Sequence, residues 1–254
     1  MVEHSQNYKI RVILIAVFSL AFITGLGLLL NKQEIDLPQV ENQQSTTKTP
    51  FQPTTDPEPV PAPAELRLKV PFTPQAPTAN WDELHNEACE EASIIMAWAY
   101  FNNITSLSTT QVETEIDKLT NWQQENYGYY LSITTPETAR VAEEVYGLSA
   151  EVTSFNTDTI KQALSENKLV IIPAQGQLLE NPNFKPPGPP YHMLVITGYY
   201  NKGDVDYFTT NDPGTRRGEN YEYTFETIEL ATGNYSHTTK QVNTGDKDMI
   251  IISN

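Results

Sequence analysis

The chain has 254 residues, with 32 acidic against 16 basic side chains and a formal net charge of −16. That length allows one or two domains. The charge argues against a nucleic-acid partner, which calls for a basic surface, and a single cysteine, Cys89, excludes an internal disulfide.

In chain order, the first element is an uncharged run of 19 residues, 12–30, "VILIAVFSLAFITGLGLLL". It is long enough to cross a bilayer core as a helix. Lys9 and Arg11 precede it; Lys32 follows, offset by Glu34 and Asp36. This bias favours an N-terminus inside and the remainder outside. A cleaved signal peptide is the rival reading, but the apolar core is long for one and no small-residue cleavage site follows. The expectation is a retained, single-pass membrane anchor with residues 1–11 cytoplasmic. Residues 31–64 hold seven prolines, many Thr and Gln and few large apolar side chains. Such a segment buries too little surface to offset the entropy of ordering, so it reads as a disordered stalk reaching at most ~100 Å.

Large apolar residues return at "ELRLKVPF", and residues 65–254 are expected to form one domain with a sizeable core. This part holds 26 acidic and 12 basic residues. It reads as a solvated acidic surface, with a preference for cationic substrates as the alternative.

Within the domain, "VPFTPQAP" is extended, its prolines confining it to an edge or loop. "NEACEEASIIMAWAYFN" places Ile94, Ile95, Trp98 and Phe101 at helical spacing, which predicts a helix over about 87–101 capped by Asn86. A second helix is predicted after a cap near Ser108. A third has Thr135 as cap, Pro136 at its first position and Gly147 as its stop. "NTDTIKQALSENK" predicts a short fourth. The period then changes to that of strands: 169–174, then 192–200 and 205–212 joined by "NKGD", then 220–227, and 248–253, apolar on both faces and so central. Helices followed by a mostly antiparallel sheet is the α+β order.

The chemistry centres on "HNEACEEAS", residues 85–93. A cysteine nucleophile needs a lowered pKa, a neighbouring base and donors for the oxyanion. A helix N-terminus lowers a thiol pKa through its free N–H groups and dipole. Glu87, Glu90 and Glu91 oppose this, so a positive partner has to lie close. Of the four histidines, His4 precedes the apolar run and His237 sits in a Ser/Thr/Asn-rich stretch. His192 opens an apolar strand after the stiff loop "ENPNFKPPGPPY", a position suited to lining a cleft. The antiparallel return through "NDPG" brings Asp212 back towards His192, where a carboxylate could hold the ring by its second nitrogen. Asn211 could take the same part as an amide.

In "VPFTPQ" (Gln75), "NEACEEASIIMAW" (Cys89), "HMLVITGYY" (His192) and "TTNDPG" (Asp212), the chain resembles the papain-like cysteine peptidases of the bacteriocin-processing, double-glycine-leader type, in their stand-alone, anchored branch. The resemblance covers about residues 65–254. It implies a papain-like α+β fold, Cys89 as nucleophile, His192 as general base and acid, and Asp212 as the orienting residue. It also implies Gln75 as an oxyanion donor beside the Cys89 backbone N–H. Two departures stand out. Many members have Gly after the cysteine where this chain has Glu90 and Glu91, and Gln75 precedes Cys89 by 14 positions, a long gap. No ATP-binding or multi-span segment occurs within these residues, so leader cleavage coupled to export is not implied.

Blander roles exist for each residue: an inert helix cysteine, a structural strand histidine, a turn-forming Asp in N-D-P-G, a solvent-facing loop glutamine. His85 precedes Cys89 by four but lacks further ligands at metal spacing, so neither metal nor cofactor is expected. The sequons at Asn103 and Asn234 are too short to carry a function. The expected activity is extracytoplasmic, thiol-dependent hydrolysis of peptide or protein substrates, with residues 176–191 as one cleft wall. The alternatives are an amidase or acyl-transferase acting on cell-wall peptides and a catalytically silent binding module of the same fold.

Overall fold

The computed structural model describes residues 61–254; the expected anchor at 12–30 and nearly all of the expected stalk at 31–64 lie outside the described residues. Tyr199 donates its hydroxyl to the Pro63 carbonyl at 2.8 Å, and the first strand, β1 (Leu66–Arg67), follows at once.

Four helices come next: α1 (Glu83–Asn86), α2 (Cys89–Phe101), α3 (Thr109–Asn126) and α4 (Thr135–Tyr146). The predicted first helix divides in two. Asp82 caps α1 by accepting the His85 N–H, and the chain restarts as α2 with Ala88 at the N-cap and Cys89 as its first residue. Asn86 is not the cap; its amide donates back to the Trp81 and Asp82 carbonyls. Helix α2 is buried almost all round, as an apolar helix inside a core must be. Helix α3 has the expected Ser108 cap, in a reciprocal box with Gln111. Helix α4 starts one residue earlier than expected, with Thr134 as cap and Glu137 closing the box, and stops at Gly147 in the left-handed region (φ 68°).

The remaining elements are β2 (Ser149–Ser154), α5 (Thr157–Ser165), β3 (Leu169–Ala174), a 3-10 turn (Gly176–Leu179), β4 (His192–Lys202), β5 (Val205–Asn211), β6 (Tyr221–Thr224), α6 (Phe225–Ala231), β7 (Asn234–Ser236), β8 (Gln241–Asn243) and β9 (Asp248–Ser253). The predicted strand over 220–227 is only half strand. Thr224 turns its hydroxyl to accept the Thr227 N–H, and the chain continues as α6. Strand β2 and the β7–β8 hairpin escape the sequence reading because their residues are polar or half-exposed.

The large sheet is antiparallel throughout, in the order β2-β9-β3-β4-β5-β6, with β1 added on β4. β9 lies inside it, as its two apolar faces imply. β3 and the first eight residues of β4 are fully buried, and α2 packs against β4 to form the core. This is an α+β fold: a cysteine-bearing buried helix lies on an antiparallel sheet that carries the histidine.

Candidate active site

Register sets the histidine and the carboxylate beside each other. Val195 on β4 pairs with Asn211 on β5, so Asp212, one residue past the end of β5, returns to the start of β4, where His192 lies. His192 Nε2 and Asp212 Oδ1 are 2.7 Å apart, with both side chains wholly buried. The same Asp212 oxygen accepts the Gly214 N–H at 3.0 Å. The other accepts the Tyr223 hydroxyl at 2.6 Å and the Asn181 amide at 3.2 Å. Burial alone would raise the Asp212 pKa, but the His192 charge and these hydrogen bonds outweigh it and hold the carboxyl below its usual range. Asn211 faces away; its amide donates to the Val70 carbonyl and its oxygen accepts the Asn220 N–H. Of the two orienting candidates, Asp212 is therefore the one in contact with His192.

The imidazole is fixed on its remaining sides. The Phe184 ring meets it edge-on with centroids 5.3 Å apart. Gly214 abuts it so closely that an added Cβ would lie 2.9 Å from His192 Cε1. Gly218 closes the turn over Asp212, where a Cβ would meet the Asp212 carbonyl oxygen at 1.8 Å. Asn181 and Tyr223, which bond each other as well as Asp212, escaped the sequence reading. Tyr223 is a buried position in the alternating run "YEYT", but nothing local says that its hydroxyl meets a carboxylate.

Cys89 opens α2 with its side chain 4% exposed. Its sulfur hydrogen-bonds to Glu90 Oε2 at 3.0 Å, and the backbone of Met193, the residue after His192, lies close enough to favour the thiolate. Burial first, then the Glu90 charge and hydrogen bond, push the thiol pKa well up; the Met193 contact opposes them. Glu90 Oε1 accepts the Ile133 N–H at 3.0 Å, and Tyr191 donates to the carbonyl of the same Ile133. Glu91 turns instead to α3 and accepts the Gln123 amide at 2.5 Å. Neither carboxyl faces solvent, each being 1% exposed. Burial, reinforced at Glu90 by the neighbouring Glu91 charge, raises both pKa values, that of Glu91 to about 7. Of the two ways the adjacent acids could sit, pointing outward or meeting the sulfur, Glu90 adopts the second.

Gln75 is buried, not solvent-facing. Its backbone N–H bonds the Pro213 carbonyl. Both amide hydrogens are spent on the carbonyls of His85 and Asn86, at 2.9 and 3.0 Å, while its Oε1 has no partner. His85 is held at both ring nitrogens, by Asp82 at 2.7 Å and Glu113 at 2.9 Å. Burial alone would lower its pKa; the two carboxylates raise it. It ties α1 to α3.

A cleft of about 790 Å³ opens over His192. Gln75, Trp81, Asn86, Asn183 to Pro189 and Tyr191 are among its lining residues, so the proline-rich loop forms part of its wall as expected. Cys89 is not among the lining residues; its thiol is turned back onto Glu90 beneath them.

Residues 67–243 match the Peptidase_C39 like family. A solved structure of a Bacillus anthracis protein described as a C39-like peptidase is 15% identical, with a TM-score of 0.47 over 75% of this chain and 98% of that one. No curated protein matches the chain. With its cysteine-bearing helix packed on a histidine-bearing sheet, and a family match that covers nearly the whole described domain, the chain belongs to the Peptidase_C39-like family, of the cysteine-peptidase type.

Proposed function

We propose that the chain is a peptide hydrolase that uses Cys89 as nucleophile, His192 as general base and acid, and Asp212 to position His192. The observation that carries this reading is the buried His192–Asp212 pair at 2.7 Å on the wall of a cleft, one strand residue before Met193, whose backbone favours the Cys89 thiolate. With Nε2 engaged by Asp212, the proton chemistry falls to Nδ1. Sγ leaves Glu90 and turns to the cleft, and His192 Nδ1 takes its proton. The thiolate attacks the peptide carbonyl, and His192 returns the proton to the leaving amine. Water, deprotonated by His192, then releases the acyl-enzyme. The Cys89 N–H, first in α2 and without an i−4 partner in the helix, suits the oxyanion. Gln75 joins it once substrate draws its amide from His85 and Asn86. A peptide-library assay tests the reading: cleavage by the wild type, none by Cys89→Ala, and slowed alkylation of Cys89 in His192→Ala at neutral pH. Equal alkylation rates with and without His192 would remove the triad.

A second reading, a silent binding module of the same fold, has one observation in its favour: the thiol is buried and bonded to a carboxyl. Peptide binding without cleavage in the same assay would select it. Amidase or acyl-transfer chemistry uses the same residues and would appear as turnover of amide-linked cell-wall peptides.

We also infer that the domain works outside the cytoplasm on a retained anchor. The uncharged run 12–30 and the preceding Lys9 and Arg11 support this. The full-length chain is expected to stay with membranes after a high-salt wash; release of a shortened chain would overturn the anchor.

A further inference from the structure

We propose that the cleft selects peptides with acidic side chains near the scissile bond, through Lys185 and Arg216. The inference rests on the reading that this cleft receives the peptide.

The domain as a whole carries 26 acidic and 12 basic residues, from which a preference for cationic substrates would follow. The cleft has the opposite character. Among the described residues, no Asp or Glu lines it, while Lys185 and Arg216 do. Neither forms an ion pair among the described residues. Arg217 adds a third cation next to the cleft, its guanidinium 3.5 Å from the oxygen of the lining residue Asn183.

The two cations stand on segments that meet at the reacting base: a Cβ on Gly214 would lie 2.8 Å from the Phe184 ring and 2.9 Å from His192 Cε1. Lys185 follows Phe184, whose ring rests on the His192 imidazole. Arg216 lies two residues beyond Gly214, the backbone that abuts the same imidazole. A carbonyl brought to His192 therefore lies beside the adjoining segments that carry both cations. Much of the rest of the lining is apolar or stiff: Trp81, Phe184, Tyr191 and the prolines of the 183–189 loop. Low-dielectric walls strengthen the field of the two cations in the cleft. An acidic peptide gains from both cations, whereas a basic one meets like charge and finds no carboxylate in the lining.

The test compares three peptides that differ only in carrying Glu, Gln or Lys on both sides of the cleaved bond. Cleavage is measured with wild-type protein and binding with Cys89→Ala. The Glu peptide is expected to lead the Gln peptide in kcat/KM by about tenfold, mostly through KM, the size two exposed ion pairs supply. The lead should shrink as salt is raised. Lys185→Glu/Arg216→Glu, both at exposed positions, should reverse the order in favour of the Lys peptide. Equal affinities for the Glu and Gln peptides, or an order unchanged by the charge reversal, would overturn the proposal. If no peptide is cleaved but Cys89→Ala still binds the Glu peptide most tightly, the selectivity stands and the hydrolase reading falls.

Discussion

Replacing Asp212 by Asn is expected to lower kcat/KM for peptide cleavage by about 10³–10⁴-fold, the size known for a triad carboxylate swapped for its amide. The reason lies in the donors around it. All four groups that face the carboxylate can donate a hydrogen bond to it: His192 Nε2 and the Gly214 N–H on one oxygen, the Tyr223 hydroxyl and the Asn181 amide on the other. An amide has one acceptor oxygen, so its NH2 must be turned against one of these pairs. Turned to His192, it forces the ring to accept at Nε2 and to carry its proton on Nδ1, the atom that has to receive the thiol proton. Turned to Tyr223 and Asn181, it sets N–H against N–H in a site closed to water, which costs about 1–3 kcal/mol of stability. The two outcomes separate by measuring cleavage, urea unfolding and Cys89 alkylation on the same variant. Turned to His192 the NH2 also opposes the Gly214 N–H, so stability falls either way, and it is a fall in alkylation together with cleavage that marks the tautomer effect. Asn211→Ala is the comparison. It frees the Val70 carbonyl and the Asn220 N–H, so it should act on stability and leave the pH dependence of alkylation where it was. A kcat/KM for Asp212→Asn within tenfold of wild type would remove Asp212 from the proton path.

That Asp212 and not Asn211 meets His192 shows where reading a sequence reaches its limit. The pairing of the two strands was legible, because "NKGD" closes a hairpin between two apolar runs and an antiparallel return fixes which ends meet. Which of two adjacent polar residues turns inward depends on a register offset of a single residue, and β4 and β5 carry an irregularity between Ile196 and Gly198. Local signals held: the Ser108 cap, the Gly147 stop and the limits of β3. Failures came where a side chain redirects the backbone, as at Thr224, or where capping moves by a residue, as at Thr134. The partners of the site were the least visible. Asn181 lies 31 residues from Asp212 and Glu113 lies 28 from His85; no periodicity links such pairs. Glu90 was visible as a puzzle, since its charge beside the sulfur was plain, but its direction was not. A residue one step along a helix points about 100° away, so Glu90 and Glu91 could not both share the fate of Cys89, and they do not: one meets the thiol, the other meets α3.

Glu91→Gln is expected to make the protein more stable above neutral pH and to change little near pH 5. Two buried oxygens in the α2–α3 contact have no hydrogen-bond partner, Glu91 Oε2 and Gln123 Oε1, and they belong to the two side chains already joined by the Gln123 amide on Glu91 Oε1. A proton on Glu91 Oε2 provides the missing donor: the acid gives to the amide oxygen while the amide gives to the acid, and both orphans are paired. Burial raises the Glu91 pKa to about 7, against the lowering pull of the Gln123 hydrogen bond. The charges around the pair share one sign, with Glu87 and Glu90 on the same stretch of chain and no cation in contact. The folded-state pKa is thus above the unfolded value. The stability this proton contributes is full below about 4.5 and is lost as pH rises through about 7. Between pH 5 and pH 8 the loss amounts to roughly 2–3 kcal/mol. Glutamine has the same shape, donates permanently to Gln123 Oε1 and accepts from its amide, so its stability should not fall across this range. Urea unfolding at pH 5, 6, 7 and 8 checks it: the wild-type curve falls and the variant's stays level, the two lying together near pH 5 and parting as pH rises. A wild-type stability that does not fall between pH 5 and 8, or a variant less stable than wild type at pH 8, would sink the acid–amide pair. The same change bears on the site. Ionised Glu91 is one of the charges that push the Cys89 pKa up, so the variant's thiol should alkylate faster than wild type at pH 8 and equally fast at pH 5.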